Sequence, residues 1–298
     1  MDVFKRLNKN KLFAFIIQTV VPFLIPLIWE IEEVYIAKSI QWILVILLSI
    51  SDLFLIYELN KQQEEKEERQ FKNKISRKAY SDIYELNQRK RDYIVSKSYN
   101  SEFHMPQEFI PYNVHEYIGE ICNSFKNVFA QIVDINKEYM SVSFIYRYKS
   151  TSKKQNTEDQ KWKWIVGKEQ TMQIQLNDYV EQKDTVYYTL INEKPTAVFY
   201  NDKQEMMKQN KYFMSARDER HNRVGSIFGV QLMFSNNAES FVEAIMIIST
   251  YGIRFIEKND KGKIKQLQRL IIDDLLPNYQ RLLETEMGIM YLRHISNR

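Results

Sequence analysis

The sequence is poor in the residues from which common nucleotide- and metal-dependent active sites are built. It has only 7 glycines among 298 residues, so few loops could cradle a phosphate. No G-x-x-x-x-G-K-[ST] loop, G-x-S-x-G elbow or H-E-x-x-H motif occurs. Its four histidines, His104, His115, His221 and His294, have no partners at metal-ligand spacing. We therefore expect no enzymatic activity, no metal and no cofactor.

The single cysteine, Cys122, excludes an internal disulfide and agrees with a reducing compartment. We expect its side chain to be a small buried apolar group. Charge of one sign is also scarce, because 42 basic and 38 acidic residues leave a net charge of +4. That balance argues against a dedicated nucleic-acid-binding protein, although basic residues surround Trp162 and Trp164. A basic loop beside an anionic membrane leaflet is a sufficient explanation.

Long apolar runs are confined to the N-terminal 57 residues. Leu12 to Trp29 carries no charge, and Val34 to Tyr57 carries only Lys38 and Asp52. Each run has the length needed to cross a hydrocarbon core, so we predict a transmembrane helical hairpin over residues 1–57. The alternative for the first run is a signal peptide, but no small-residue cleavage site follows it.

Basic residues flank the hairpin on both sides and its turn is acidic, with Glu30, Glu32 and Glu33. This distribution predicts a multi-pass protein of the inner membrane, with both termini and the main domain in the cytoplasm. Pro22 and Pro26 should kink the first helix, which fits either a packed, oligomeric membrane part or a merely bent anchor. Asp52 either pairs within the membrane part or rests at the cytoplasmic interface.

Residues 58–100 lack proline and glycine and are rich in Glu, Lys, Arg and Gln, which predicts a helical stalk. A narrow apolar stripe recurs along it at helical spacing: Phe71, Ile75, Ala79, Ile83 and Leu86. The stripe suits the same helix in another copy, the domain that follows, or a solvated spacer, and the pattern does not decide among them.

Residues 101–111, which include Pro106 and Pro111, are the predicted linker to an α+β domain at 112–298. Val114 to Ile132 reads as an amphipathic helix. Met140 to Tyr148 alternates like a half-buried strand, and Val224 to Phe234 does the same. Gly225 and Gly229 leave one face of the second strand bare, so another backbone or a ligand could come close.

The order of these elements resembles that of a GAF domain over about residues 112–297. The phrase from Phe199 to Lys203 and the strand around Ser226 are similar to the corresponding segments of that family. The resemblance implies an antiparallel sheet with helices on one face, a ligand on the other, and a long C-terminal helix. The paired Asn-Lys and Phe-Asp-Glu residues of the cyclic-nucleotide-binding subset are missing, and Cys122 is not placed to attach a chromophore.

On this resemblance, the basic segment from Arg217 to Arg223 enters a core strand near the mouth of the binding site. Arginines there could pair with phosphate or carboxylate oxygens, which predicts an anionic small molecule such as a nucleotide. The alternative is a solvated loop whose Asp218 and Glu219 neutralise the arginines. The predicted ligand-binding set is Arg217, Arg220, His221, Arg223, Asn201, Lys203, Tyr148, Trp162 and Trp164.

These features together predict a membrane-anchored cytoplasmic sensor that forms homo-oligomers. In layout it resembles the two-helix membrane effectors of bacterial anti-phage systems, in which a signal bound by a soluble domain lets the membrane part breach the bilayer. The alternative is a non-catalytic scaffold that docks a cytoplasmic protein through a pocketless domain. An apolar, open cleft behind Gly225 and Gly229 would favour the sensor, and a cleft filled by Trp162, Trp164 or Tyr148 would favour the scaffold.

Overall fold

A computed structural model describes the chain over six ranges and four isolated residues. These are residues 38–99, 112–149, 160–167, 175–236, 239–257 and 260–296, with Phe23, Pro26, Leu27 and Glu30. The chain divides into two compact units, Met1–Asn73 and Lys74–Arg298. One long helix, α1 (Lys38–Tyr99), contributes residues to both units.

In the first unit, the described part of α1 changes from apolar to charged along its length. Large apolar side chains are exposed between residues 40 and 57: Ile40, Trp42, Ile43, Ile46, Leu47, Ile50, Leu53, Phe54, Ile56 and Tyr57. Pairs four residues apart follow, such as Glu65 with Arg69 at 3.3 Å. One carboxylate oxygen of Asp52 is buried and has no hydrogen-bond partner among the described residues.

Across the ranges that the structure describes, no helix is both long enough and apolar enough to span a membrane. The predicted transmembrane hairpin is therefore unsupported by the described residues. Pro22 and most of the run from Leu12 to Trp29 lie outside those residues, and Pro26 is exposed.

The second unit is an α+β structure built on a five-stranded antiparallel sheet. Its strands are β1 (Met140–Tyr148), β2 (Lys163–Val166), β3 (Val198–Tyr200), β4 (Ile227–Ser235) and β5 (Ser240–Thr250). They lie in the order β2-β1-β5-β4-β3, and every neighbouring pair is antiparallel. The α+β class and the antiparallel sheet predicted from the sequence are thus confirmed.

Long helices pack on one face of this sheet and short helical segments on the other, so helices are not confined to one face as the resemblance implies. The helices of the unit after α1 are α2 (Val114–Ile132), α3 (Leu176–Glu181), α4 (Val186–Tyr188), α5 (Lys203–Lys208), α6 (Ala216–Arg220), α7 (Lys261–Arg269) and α8 (Leu276–Ser296). A short 3₁₀ turn, Lys137–Tyr139, precedes β1, and π-helical segments, Thr189–Glu193 and Leu270–Leu275, follow α4 and α7. The second π segment ends just before Pro277, where the sequence predicts an interrupted helix.

Side-chain alternation divides the sheet between two cores. The even-numbered residues of β1, including Val142 and Phe144, share the larger core with α2 and α8. Phe228 of β4 and Met246 of β5 extend that core across the sheet. The odd-numbered Ile145, Ile227, Ile245 and Ile247 belong to a smaller core on the opposite face.

The partner of the apolar stripe on α1 is the domain that follows in the same chain. Ile75, Ala79 and Leu86 are buried in the larger core, and Ile83 packs against it, whereas Phe71 is exposed. The buried carboxylate of Glu286 on α8 fastens the same helix, because it forms an ion pair with Lys90 and accepts a hydrogen bond from Tyr112. Residues 74–90 of the predicted stalk are thus part of the α+β unit.

Candidate functional site

A cleft with a volume of about 520 Å³ lies on the sheet face opposite α2 and α8. Side chains from β1, β2, β4 and β5 line it, together with α3, α4 and the segment from Tyr212 to Glu219. Its described lining is Ser141, Val142, Ser143, Trp164, Gly167, Tyr179, Val186, Tyr187, Tyr212, Phe213, Met214, Ser215, Ala216, Glu219, Ile227, Ile247, Ser249 and Tyr251. The volume lies within the range of small-molecule sites.

Strand alternation places a row of hydroxyl groups on the floor of the cleft. Ser141 of β1 lies directly opposite Ser249 of β5, one position from the end of each strand's pairing. Ser143, two residues further along β1, points to the same face and its hydroxyl lies 3.2 Å from that of Tyr187. Each hydroxyl can both donate and accept a hydrogen bond, so the floor is polar but uncharged.

One of these hydroxyls is left without a partner. Ser249 is 6% exposed, and its oxygen makes no hydrogen bond within the described structure. The Ser141 hydroxyl donates only a long bond, 3.5 Å, to the Tyr251 oxygen. Burial raises the pKa of Tyr251, an effect that weak contacts from the nearby Ser141 and Ser249 hydroxyls oppose, and the Ser249 contact lacks the geometry of a normal hydrogen bond. A buried hydroxyl without a partner is unfavourable, so Ser249 marks a position where a ligand group would be stabilised.

The wall between Tyr212 and Ala216 is held in place by one buried carboxylate. Asp218 accepts hydrogen bonds from the Tyr212 hydroxyl (2.8 Å), the Ser215 backbone (3.0 Å) and the Ser215 hydroxyl (2.7 Å). Its other oxygen accepts from the Lys203 ammonium at 2.7 Å, and both charged side chains are fully buried. Asp218 therefore ties two residues of the cleft wall, Tyr212 and Ser215, to α5.

Lys203 connects this wall to the sheet. Its ammonium also donates to the carbonyl of Thr250 at 2.9 Å and lies 4.1 Å from the ring centroid of Tyr251. Burial raises the pKa of Asp218, but the Lys203 ammonium and the Ser215 hydrogen bonds outweigh it and hold the pKa below its usual value. Burial first, and then the Asp218 charge, raise the pKa of Tyr212 well above its ordinary value. The Asp218 carboxyl is thus ionised and the Tyr212 phenol neutral at neutral pH.

The two glycines at the start of β4 allow close packing beneath the cleft. A Cβ at Gly225 would lie 2.3 Å from the Thr250 carbonyl oxygen. A Cβ at Gly229 would lie 3.1 Å from Leu190 and Val186. Backbone occupies the space at Gly225 and side chains occupy it at Gly229, and neither glycine belongs to the described lining of the cleft.

The structure does not bring the nine predicted ligand-binding residues together. Trp164 lines the cleft. Lys203 lies behind Tyr212 and Tyr251, and the Arg217 guanidinium stacks on Tyr251 at 4.1 Å from its ring centroid. The His221 ring donates to the Arg217 carbonyl at 2.9 Å.

Arg220 and Arg223 are exposed on the basic segment. Arg223 forms an exposed ion pair with Glu219 at 3.4 Å, as the solvated-loop alternative expects. That alternative does not describe Asp218, which is buried and pairs with Lys203.

The other three predicted residues are packed away from the cleft. Asn201 accepts a hydrogen bond from the Ile256 backbone and donates another to it, both 2.9 Å long. Tyr148 stacks on His294 of α8, on the helix-covered face. Trp162 is buried beneath the Arg147 guanidinium.

Sequence reasoning missed most of the residues that line the cleft. A usable signal exists for Ser141 and Ser249, because strand alternation alone puts them on the sheet face opposite α2 and α8. Tyr212, Phe213 and Met214 lie in a segment without helical or strand periodicity, which carries no signal of its burial.

Within the described ranges, no group of three or more His, Cys, Asp or Glu side chains could hold a metal ion. Cys122 is buried in the larger core, as expected, and burial raises the pKa of its thiol. Comparison of the chain with protein-family models, curated proteins and solved structures found no match.

Proposed function

We propose that the α+β unit is a GAF-like sensor domain that binds a small molecule in the cleft. The observation that carries the proposal is the buried Ser249 hydroxyl, which has no hydrogen bond of normal geometry to the described residues, on the floor of a cleft of about 520 Å³. The position of the cleft supports it further, because the GAF resemblance implies a ligand on the sheet face opposite the main helices, and the cleft lies opposite α2 and α8. The strands also follow one another along the chain in the order that the resemblance implies.

The scaffold alternative expects a site filled by the protein's own side chains. Tyr148 lies on the opposite sheet face, Trp162 is packed under Arg147, and Trp164 lines the cleft without closing it. The described cleft is unfilled, which supports the sensor over the scaffold, but it has a polar floor and is not the apolar cleft behind Gly225 and Gly229 that the sequence leads us to expect for a sensor.

We further propose that the N-terminal region attaches the chain to the cytoplasmic side of the inner membrane. The ten large apolar side chains that are exposed between residues 40 and 57 support this proposal, because soluble proteins rarely leave such a surface uncovered. We also propose, more specifically, that this region is a transmembrane hairpin that disrupts the membrane in anti-phage defence. The buried carboxylate oxygen of Asp52 favours this, because an ionisable group in an apolar segment usually has a functional role.

Ligand-observed NMR screening of the purified full chain against a fragment library tests the sensor proposal. We expect hits that Ala216→Trp abolishes, because Ala216 is exposed at the cleft and a large ring there should fill it without disturbing a core. Lys208→Trp is the matched control, since Lys208 is exposed on α5 and does not line the cleft. Hits that both variants retain, or the absence of hits, would contradict a binding site in the cleft.

A further inference from the structure

The described lining of the cleft offers no cation to a ligand. Glu219 is its only charged residue, and that side chain is 59% exposed and paired with Arg223. Lys203 is sealed from the cleft and neutralised by Asp218. Arg217 stacks on Tyr251 and is not part of the lining. An anion on the cleft floor would thus lose its hydration without gaining an opposite charge, which is strongly unfavourable.

Aromatic rings form much of the remaining wall. The described lining contains six of them: Trp164, Tyr179, Tyr187, Tyr212, Phe213 and Tyr251. Tyr179 stands edge-on to Tyr187, with ring centroids 5.6 Å apart, and to Phe213 at 6.2 Å. Such walls favour a flat aromatic ligand, since offset and edge-to-face ring contacts add to the gain from burial.

The hydroxyl row supplies the polar end of the site. Among the described residues, Ser249 has no hydrogen bond of normal geometry and Ser141 has only the long bond to Tyr251, so both can turn toward a ligand without breaking a good hydrogen bond. A carbonyl, amide or phenol group on the ligand would satisfy both serines and would keep the ligand uncharged.

We infer that the cleft binds an uncharged aromatic compound bearing a carbonyl, amide or phenol group, and that Ser249 binds this group. The inference rests on the proposed sensor function and names the chemical class of its ligand. It departs from the anionic ligand expected from the basic segment, because the arginines of that segment lie outside the cleft lining.

Three probes that share one ring and differ in charge test the ligand class. Indole-3-acetamide is neutral, indole-3-acetate is anionic and tryptamine is cationic at pH 7. Isothermal titration of the full chain should show the amide binding at least about tenfold more tightly than either charged probe, given the unfavourable burial of an unpaired charge.

Substitution of the serine tests its role. Ser249→Ala should weaken binding of the amide about fivefold, the usual size for one neutral hydrogen bond. It should leave the denaturation midpoint unchanged or higher, because the lost hydroxyl makes no hydrogen bond of normal geometry to the described residues. Ser235→Ala, at an exposed serine near the end of β4, should change neither quantity.

The outcomes separate this inference from the sensor proposal. Tighter binding of indole-3-acetate or tryptamine, or no binding of any probe, would overturn the ligand class. Amide binding that survives Ser249→Ala unchanged would overturn the assigned role of the serine. In each case, the sensor proposal would still be supported if the fragment screen gave hits that Ala216→Trp abolishes. If the screen gave no such hits, the sensor proposal and the inferred ligand class would both be contradicted.

Discussion

Lys203 supports the wall of the cleft although its side chain does not line it. Lys203 is fully buried and joins Asp218 to the Thr250 carbonyl, so one ammonium holds the Tyr212–Ala216 wall against β5. A buried ion pair adds little net stability compared with apolar residues of the same shape. Removing only one partner is far more harmful, because the other charge stays buried without compensation.

We therefore expect Lys203→Met to lower the free energy of unfolding by about 3–5 kcal/mol. The double variant Lys203→Met with Asp218→Asn should recover much of that loss, because no unpaired charge remains in the interior. Urea unfolding followed by near-ultraviolet circular dichroism measures both values. Lys208→Met, at an exposed lysine of the same helix, serves as the control. A loss below about 1 kcal/mol for the single variant would show that the buried pair does not fasten the wall.

At the scale of elements, the helix α1 changes role along its length. Its residues from Ile75 to Lys90 belong to the core of the α+β unit. The Lys90 ammonium lies 4.5 Å from the ring centroid of Tyr112 and 5.0 Å from that of Tyr117, in addition to its ion pair with Glu286. This part of α1 is thus a structural helix of the domain.

Truncation of the stripe tests that role. Leu86 is 1% exposed, and Leu86→Ala should lower the free energy of unfolding by about 3 kcal/mol through loss of buried surface and the cavity it leaves. Glu85→Ala, on the exposed side of the same turn, should change it by less than about 0.5 kcal/mol. Analytical ultracentrifugation should give the same mass for both variants. Dissociation of an oligomer by Leu86→Ala alone would instead assign the stripe to a contact between copies.

The sequence predicts elements better than it predicts the contacts between distant ones. The helix Val114–Ile132 has the predicted bounds, and the inward residues of β1 follow from strict alternation. The stripe on α1 is visible in the sequence, but its width suits several partners equally well. The pairing of Lys203 with Asp218 is not readable at all, because it depends on how an irregular segment folds back over fifteen residues.

At the scale of the whole molecule, the position of the domain boundary changes. The sequence places it in the proline-containing linker at 101–111, whereas compactness places it between Asn73 and Lys74. Residues 101–110 lie outside the described residues, but Ile75, Ala79 and Leu86 fill the larger core from the N-terminal side of the linker. A domain cut at residue 112 would lose these side chains.

We expect a fragment of residues 74–298 to be folded and monodisperse, and a fragment of residues 112–298 to aggregate because the apolar surface beneath α1 becomes exposed. The full chain should float with phosphatidylethanolamine–phosphatidylglycerol liposomes in a density gradient, and the 74–298 fragment should remain at the bottom. Near-ultraviolet circular dichroism and size-exclusion chromatography check folding. Flotation of the 74–298 fragment would place membrane binding in the α+β unit, and a well-folded 112–298 fragment would restore the boundary at the linker.

The close approach at Gly225 makes three distant positions depend on one another. The Thr250 carbonyl that leaves no room for a Cβ there is also the acceptor of Lys203, and the Lys203 side chain would itself lie 3.1 Å from that Cβ. A change at any one of Lys203, Asp218 and Gly225 therefore alters the fit of the other two. Across an alignment of relatives, the lysine and aspartate columns should covary, and the glycine should be retained even where the lysine is replaced, because the Thr250 carbonyl excludes a Cβ there in either case.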